Sequence, residues 1–255
     1  MAGVLRPGDA AAMKIIAIGG GSLGLGETEP MDRELISLAN KENPLALFIP
    51  TASGDDELYI REFELTYDRY GCRTEVLRLH SDDNPSKIAE ADVIYVGGGN
   101  TKMMLELWRE TGTDAALTQH LKAGKPAGGL SAGALCWFRV GNSDWPQYEG
   151  IPGVNTDRLD CMGLVDLVLC PHASREPFRL DEFRTMMKGE RGAGMALDDG
   201  CAIQIEADSY RIMSSLPGAV AHHIEWRDSL MFERELPPHE YFRPLASLHR
   251  VEVHP

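Results

Sequence analysis

The sequence predicts an α/β protein with a mostly parallel sheet and helices on both faces, and three observations lead there. Short apolar runs recur and stop at glycine or other turn-forming residues: Ile15 to Ile18 before Gly19-Gly20-Gly21, Leu45 to Ile49 before Pro50-Thr51, Val93 to Val96 before Gly97, and Pro126 to Leu130 before Ser131. Between them, Glu57 to Tyr70, Thr101 to Glu110 and Thr113 to Ala123 carry apolar residues near helical spacing. The strand runs are apolar at successive positions, as expected of strands covered on both sides.

The second half of the chain is patterned more loosely. Leu164 to Cys170 reads as another buried strand and Asp181 to Lys188 as a short helix. Met195 to Leu197 and Cys201 to Ile205 read as strands around the turn Asp198-Asp199-Gly200. From Ser209 onward, alternation with aromatics and proline predicts small antiparallel strands added at an edge. We expect a single domain over 13–255, preceded by a flexible extension from Met1 to Ala12 that lacks the apolar segment of a signal peptide.

Composition narrows the function. The 255 residues carry 25 Lys and Arg against 39 Asp and Glu, a formal charge of −14, which repels phosphate backbones and anionic membrane surfaces. Neither nucleic acid nor a membrane is expected as a partner, and no stretch approaches 18 apolar residues. The five cysteines, Cys72, Cys136, Cys161, Cys170 and Cys201, are odd in number and never spaced C-x-x-C, which argues against a disulfide framework and a zinc site. A reducing cytoplasm fits best. No cofactor is expected, and the oligomeric state is left open, a homodimer included.

Three glycine-rich strand ends are the places for chemistry. Gly129-Leu130-Ser131-Ala132-Gly133 fits G-x-S-x-G at a strand-to-helix junction, where small residues let the backbone turn and present a serine hydroxyl. A serine capping an ordinary helix gives the same pattern. Gly97-Gly98-Gly99-Asn100-Thr101 offers unshielded amides, with Asn100 or Thr101 suited to capping the next helix. Gly19-x-Gly21-x-x-Gly24 formally matches a dinucleotide fingerprint, but Pro30 delays the following helix to about Met31 and no acidic residue ends the second strand, so nicotinamide binding is set aside.

A serine nucleophile needs a base. His172 closes the apolar run Leu167 to Pro171 and so stands at a strand end, on the edge where Ser131 is expected. His222 and His223 lie in the alternating C-terminal region. Asp198 and Asp199, in the turn after Leu197, are both placed to orient an imidazole, and the sequence does not choose between them.

These residues resemble the peptidase E (aspartyl dipeptidase) and cyanophycinase family of serine peptidases. The likeness runs from Lys14 to about Ile205 and rests on Ile18-Gly19-Gly20-Gly21, Gly97 to Thr101, Gly129 to Ala134, Pro171-His172, and Leu197 to Ile203. It implies a fold similar to class I glutamine amidotransferases, Ser131 as nucleophile, His172 as base and the carboxylate at Asp199 as its partner, where the family typically has glutamate. The amides of Ala132 and Gly98 or Gly99 are expected to form an oxyanion site and Asn100 to contact the substrate, which the resemblance implies is a short peptide. Glu176 falls where the family's substrate-recognising arginine is expected, which leaves Arg175 and Arg179 as candidates for that contact. Two other readings compete. An α/β-hydrolase esterase would use the order Ser131, Asp198 or Asp199, then His222 or His223. A binding protein would keep the glycine-lined pocket without turnover.

Overall fold

The computed structural model describes residues 13–249; the expected extension from Met1 to Ala12 lies outside the described residues. The first half alternates as the sequence predicts: β1 (Lys14–Ile18), α1 (Glu29–Ser37), β2 (Leu45–Ile49), α2 (Glu57–Arg69), β3 (Arg73–Val76), α3 (Lys87–Glu90), β4 (Val93–Val96), α4 (Thr101–Thr111), α5 (Thr113–Lys122) and β5 (Ala127–Leu130). These five strands pair in parallel in the order β1-β5-β4-β2-β3. Local chemistry sets the helix boundaries. Asp56 caps α2 by accepting from Tyr59 N–H at 2.8 Å, and α4 runs from an Asn100 cap to Gly112 in the left-handed region.

Successive strand residues feed two different cores, which explains the unbroken apolar runs. Ile16, Ile18, Ala46, Phe48 and Tyr95 pack with Met31 and Leu35 of α1 and Ile60, Phe63 and Tyr67 of α2. Their neighbours Ile15, Ala17, Leu47, Ile49, Ile94 and Val96 face the other way, toward Met104, Leu105 and Trp108 of α4 and Leu117 of α5.

After β5 the chain leaves this sheet. A short α6 (Ala132–Leu135) leads to β6 (Phe138–Ser143), α7 (Trp145–Tyr148), β7 (Asp157–Asp160), β8 (Val165–Cys170), α8 (Arg179–Met187) and β9 (Ala193–Leu197). With the later β12 (Ala221–Arg227) and β13 (Leu230–Leu236), these strands form a second, six-stranded sheet in the order β13-β12-β9-β8-β6-β7. Only β6-β8 and β8-β9 pair in parallel there. Three strands, β10 (Cys201–Glu206), β11 (Ser209–Ser214) and β14 (Arg243–Pro244), extend the first sheet antiparallel beyond β1, giving eight strands.

The α/β class and the antiparallel C-terminal additions are as predicted; the single mostly parallel sheet is corrected to two sheets. Leu167, Leu169, Met195 and Leu197 of the second sheet share the large core with Ile15, Ala17 and Val96 of the first, while Val168, Cys170 and Ala196 pack under Phe183 and Met187 of α8. An apolar run records that a strand is covered, not whether a helix or another sheet covers it.

Candidate active site

Ser131 is the hinge between β5 and α6. Its N–H donates to the Ile18 carbonyl at 3.0 Å, and its own carbonyl accepts from Ala134 and Leu135 at 2.9 Å each, which starts the helix. The backbone turns through φ 55°, ψ −111°, a region sparsely populated for any residue with a side chain. The hydroxyl makes no capping bond. It lies instead 2.9 Å from His172 Nε2.

His172 follows β8 and also has positive φ, 56°. Its N–H donates to the Gly19 carbonyl at 3.1 Å, tying the end of β8 to the end of β1 across the two sheets. Its Nδ1 is 2.6 Å from Asp199 Oδ1. Asp199 sits in the turn that carries the chain from β9 in one sheet to β10 in the other, and Gly200 N–H anchors that turn on the Gly20 carbonyl at 2.9 Å. With the carboxylate accepting from Nδ1–H, Nε2 is left as acceptor for the serine proton. The pair is largely shielded, with side-chain exposures of 14% for His172 and 23% for Asp199.

Gly20 allows this approach. A Cβ on Gly20 would stand 2.0 Å from Asp199 Oδ1 and 2.4 Å from His172 Nδ1, so only hydrogen fits there. The glycine run after β1 therefore serves the imidazole and its carboxylate. Just beyond that run two amides are taken by acids: Ser22 N–H donates to Glu27 at 2.8 Å and Gly24 N–H to Glu62.

Asp198 faces elsewhere. Its Oδ2 accepts from Val220 N–H at 3.0 Å and its Oδ1 lies 3.4 Å from His222 Nε2. Burial pushes the Asp198 carboxyl up, but His222 and the Val220 amide outweigh it and hold the group below its ordinary range. His223 is fully buried and bonds the Leu248 carbonyl at 2.7 Å; burial pushes its pKa down.

The loop after β4 lies beside Ser131, with the Cβ position of Gly98 3.4 Å from Ser131 Cβ. Its amides divide clearly. Gly97 N–H donates to the Ile49 carbonyl at 3.1 Å, Asn100 N–H to the Ala52 carbonyl at 2.8 Å, and Gly98 N–H to the Tyr59 hydroxyl at 3.3 Å. Gly99 N–H finds no acceptor among the described residues. Gly99 has φ 135° and packs so closely on Ala52 that a Cβ would stand 2.2 Å from its carbonyl oxygen. Of the two glycines expected to face an oxyanion, Gly98 is thus already engaged and Gly99 is the free one. Ala132 N–H, in the first turn of α6, lacks an intrahelical acceptor by its position.

Two side chains expected at the substrate have partners within the protein. Asn100 Oδ1 accepts from Met103 N–H at 3.2 Å and caps α4. Arg179 is 1% exposed, with Nη2 3.1 Å from Glu176 Oε2 and 3.9 Å from Asp144 Oδ2, so it is enclosed by two carboxylates instead of open to a ligand. Arg175 is exposed. Sequence reasoning missed Tyr59 and the close approach at Gly20; the three consecutive glycines were the only signal for the second, and nothing marked the first.

Comparison with known proteins identifies the group. The model of the family described as peptidase family S51 matches residues 15–213. The chain belongs to peptidase family S51. As an S51 member it is a serine-type peptidase resembling peptidase E. It is 35% identical over 233 residues to the Bacillus subtilis (strain 168) protein named "Uncharacterized peptidase YgaJ", covering 88% of this chain and 97% of that one. It is 24% identical to a Streptomyces coelicolor protein named peptidase E, over 76% of each. The crystal structure of a peptidase from an acI-B1 actinobacterium superposes with a TM-score of 0.72 at 17% identity, covering 92% of this chain and 98% of that one, a likeness of fold. No helix among the described residues is long and apolar enough to cross a membrane.

Proposed function

We propose that this S51 peptidase cleaves short peptides as an exopeptidase or dipeptidase through a Ser131-His172-Asp199 triad. The observation that carries the reading is the continuous chain from Ser131 Oγ through His172 to Asp199, at 2.9 and 2.6 Å. Ser131 Oγ attacks the scissile carbonyl while its proton passes to His172 Nε2. The tetrahedral oxygen takes hydrogen bonds from Gly99 N–H and Ala132 N–H. Collapse breaks the C–N bond, His172 gives the proton to the departing amine, and water repeats the sequence on the acyl-serine. Asp199 holds the imidazole tautomer and stabilises its charged form.

The region around Arg179 carries one cation against Glu176 and Asp144, so the reading assigns it no dedicated recognition of an N-terminal aspartate. Arg175 is the remaining cation for such a contact. A reducing cytoplasm is the proposed setting, in keeping with five free cysteines.

Hydrolysis of a dipeptide library, with Ser131→Ala as blank, tests the reading. We expect cleavage lost in Ser131→Ala, and comparable rates for Asp-Leu and Ala-Leu. A folded protein that a fluorophosphonate fails to label at Ser131 would overturn it in favour of a binding protein. The esterase order is tested by His222→Ala and His223→Ala: retained activity in both, with loss in His172→Ala, excludes it.

A further inference from the structure

We infer that Tyr59 is a positioning residue for the oxyanion loop, holding the Gly97–Gly98 peptide so that the next amide, Gly99 N–H, points at the developing negative charge. The inference rests on the peptidase reading above. Among the amides of this loop, Gly97 and Asn100 are held by main-chain carbonyls, whereas Gly98 is held at 3.3 Å by a side-chain hydroxyl, that of Tyr59. The tether is therefore the one that a substitution can remove without touching the backbone.

The phenol is built into its place. The Tyr59 ring stands edge-on to Phe48 with centroids 5.1 Å apart, and Phe48 stacks on Phe63 at 4.5 Å. Gly97 leaves room for the ring, since a Cβ there would be 2.9 Å from Tyr59 Cε1. Burial, reinforced by Glu62 and Asp32, keeps the phenol neutral by pushing its pKa up, against the smaller opposing effect of the Gly98 amide. One helix face thereby reaches two strand-end loops: Tyr59 accepts from Gly98 N–H, and Glu62, three residues on along α2, accepts from Gly24 N–H.

Consecutive peptide planes are linked through one Cα, so the direction of Gly99 N–H depends on the plane before it. Freeing Gly98 N–H lets that plane rotate, which weakens the hydrogen bond made in the transition state more than any made to bound substrate.

Tyr59→Phe keeps the ring and removes the hydroxyl. We expect it to lower kcat about tenfold with KM unchanged, and to slow fluorophosphonate phosphonylation of Ser131 by the same factor, because that reaction fills the same hole. Tyr67→Phe serves as control. Its hydroxyl belongs to the same aromatic group and donates to Asp32 at 3.3 Å without touching a glycine loop, so both rates should match the wild type. Wild-type labelling with an equal rate in Tyr59→Phe overturns the inference and leaves the peptidase reading standing. Equal slowing in both tyrosine variants overturns it too, since it would report packing. A wild-type protein that is folded but unlabelled overturns both readings together.

Discussion

Asp198 and Asp199 are neighbours in the chain, yet their carboxylates hold different histidines, Asp199 reaching His172 Nδ1 at 2.6 Å and Asp198 approaching His222 Nε2 at 3.4 Å. Asp199→Asn should therefore lower kcat by about three to four orders of magnitude through loss of the working tautomer, whereas Asp198→Asn should leave kcat within about tenfold. Circular dichroism checks that both fold. Because the Asp198 carboxyl is held below its ordinary range, its contribution to stability is present above the unfolded value of about 3.9 and is lost as pH falls through the lower folded value. The difference in melting temperature between wild type and Asp198→Asn should shrink in strong acid.

Ser131 occupies φ 55°, ψ −111° with a side chain attached. Ser131→Gly and Ser131→Ala should both be inactive, but glycine relieves the backbone and alanine does not. Strain of about 1–3 kcal/mol, less glycine's extra unfolded-state entropy, predicts that Ser131→Gly melts roughly 2–4 °C above Ser131→Ala in a thermal scan.

Gly20→Ala would place a methyl against both Asp199 Oδ1 and His172 Nδ1. The clash is with side-chain atoms and not with backbone, so the fold should persist while the imidazole and carboxylate separate. We expect a loss in kcat of about 100-fold or more with a normal far-ultraviolet spectrum; unchanged kcat would show that the pair yields without consequence.

Asp32 is fully buried on α1, where Thr28 Oγ donates to it at 2.7 Å and Tyr67 at 3.3 Å. Burial pushes its carboxyl up to about 7, partly offset by those two hydrogen bonds. A raised folded pKa means that the stability Asp32 contributes as a neutral acid is complete below its unfolded value near 3.9 and is lost as pH rises through about 7. The loss is on the order of 4 kcal/mol, at about 1.4 kcal/mol per unit. Asp32→Asn should remove it, so that chemical denaturation finds the variant gaining on the wild type between pH 5 and pH 8.

What the sequence made legible follows from which physics is local. Ser131, His172 and the acidic turn could be found because each ends an apolar run, and strand ends converge wherever parallel strands pair. Which of Asp198 and Asp199 faces His172 could not be read, since it depends on which way two adjacent side chains leave a turn that passes between sheets. The second sheet was hidden for a related reason: Phe138 to Ser143 contains Arg139, Asn142 and Ser143 and does not look like a buried strand, although β6 is its parallel partner to β8. Arg179 looked available because it lies close to Glu176, where the resemblance places a recognising arginine; only the fold shows Asp144, 35 positions earlier, closing over it. Tyr59 carries no motif, and its relation to Gly98 spans 39 residues.

The proposed triad straddles a seam. Ser131 follows β5 of the eight-stranded sheet, His172 follows β8 of the six-stranded one, and Asp199 lies in the strand-to-strand turn that joins them. If those three residues carry hydrolysis as proposed, its rate gauges how the two sheets are seated on each other, a quantity that secondary structure content does not register. A slip of about an ångström between them would part Oγ from Nε2 while every ladder stayed intact. On heating, the chain should fall silent as a catalyst before it loses its circular dichroism, and on cooling it should regain activity only when the sheets have docked again, after the strands themselves have formed.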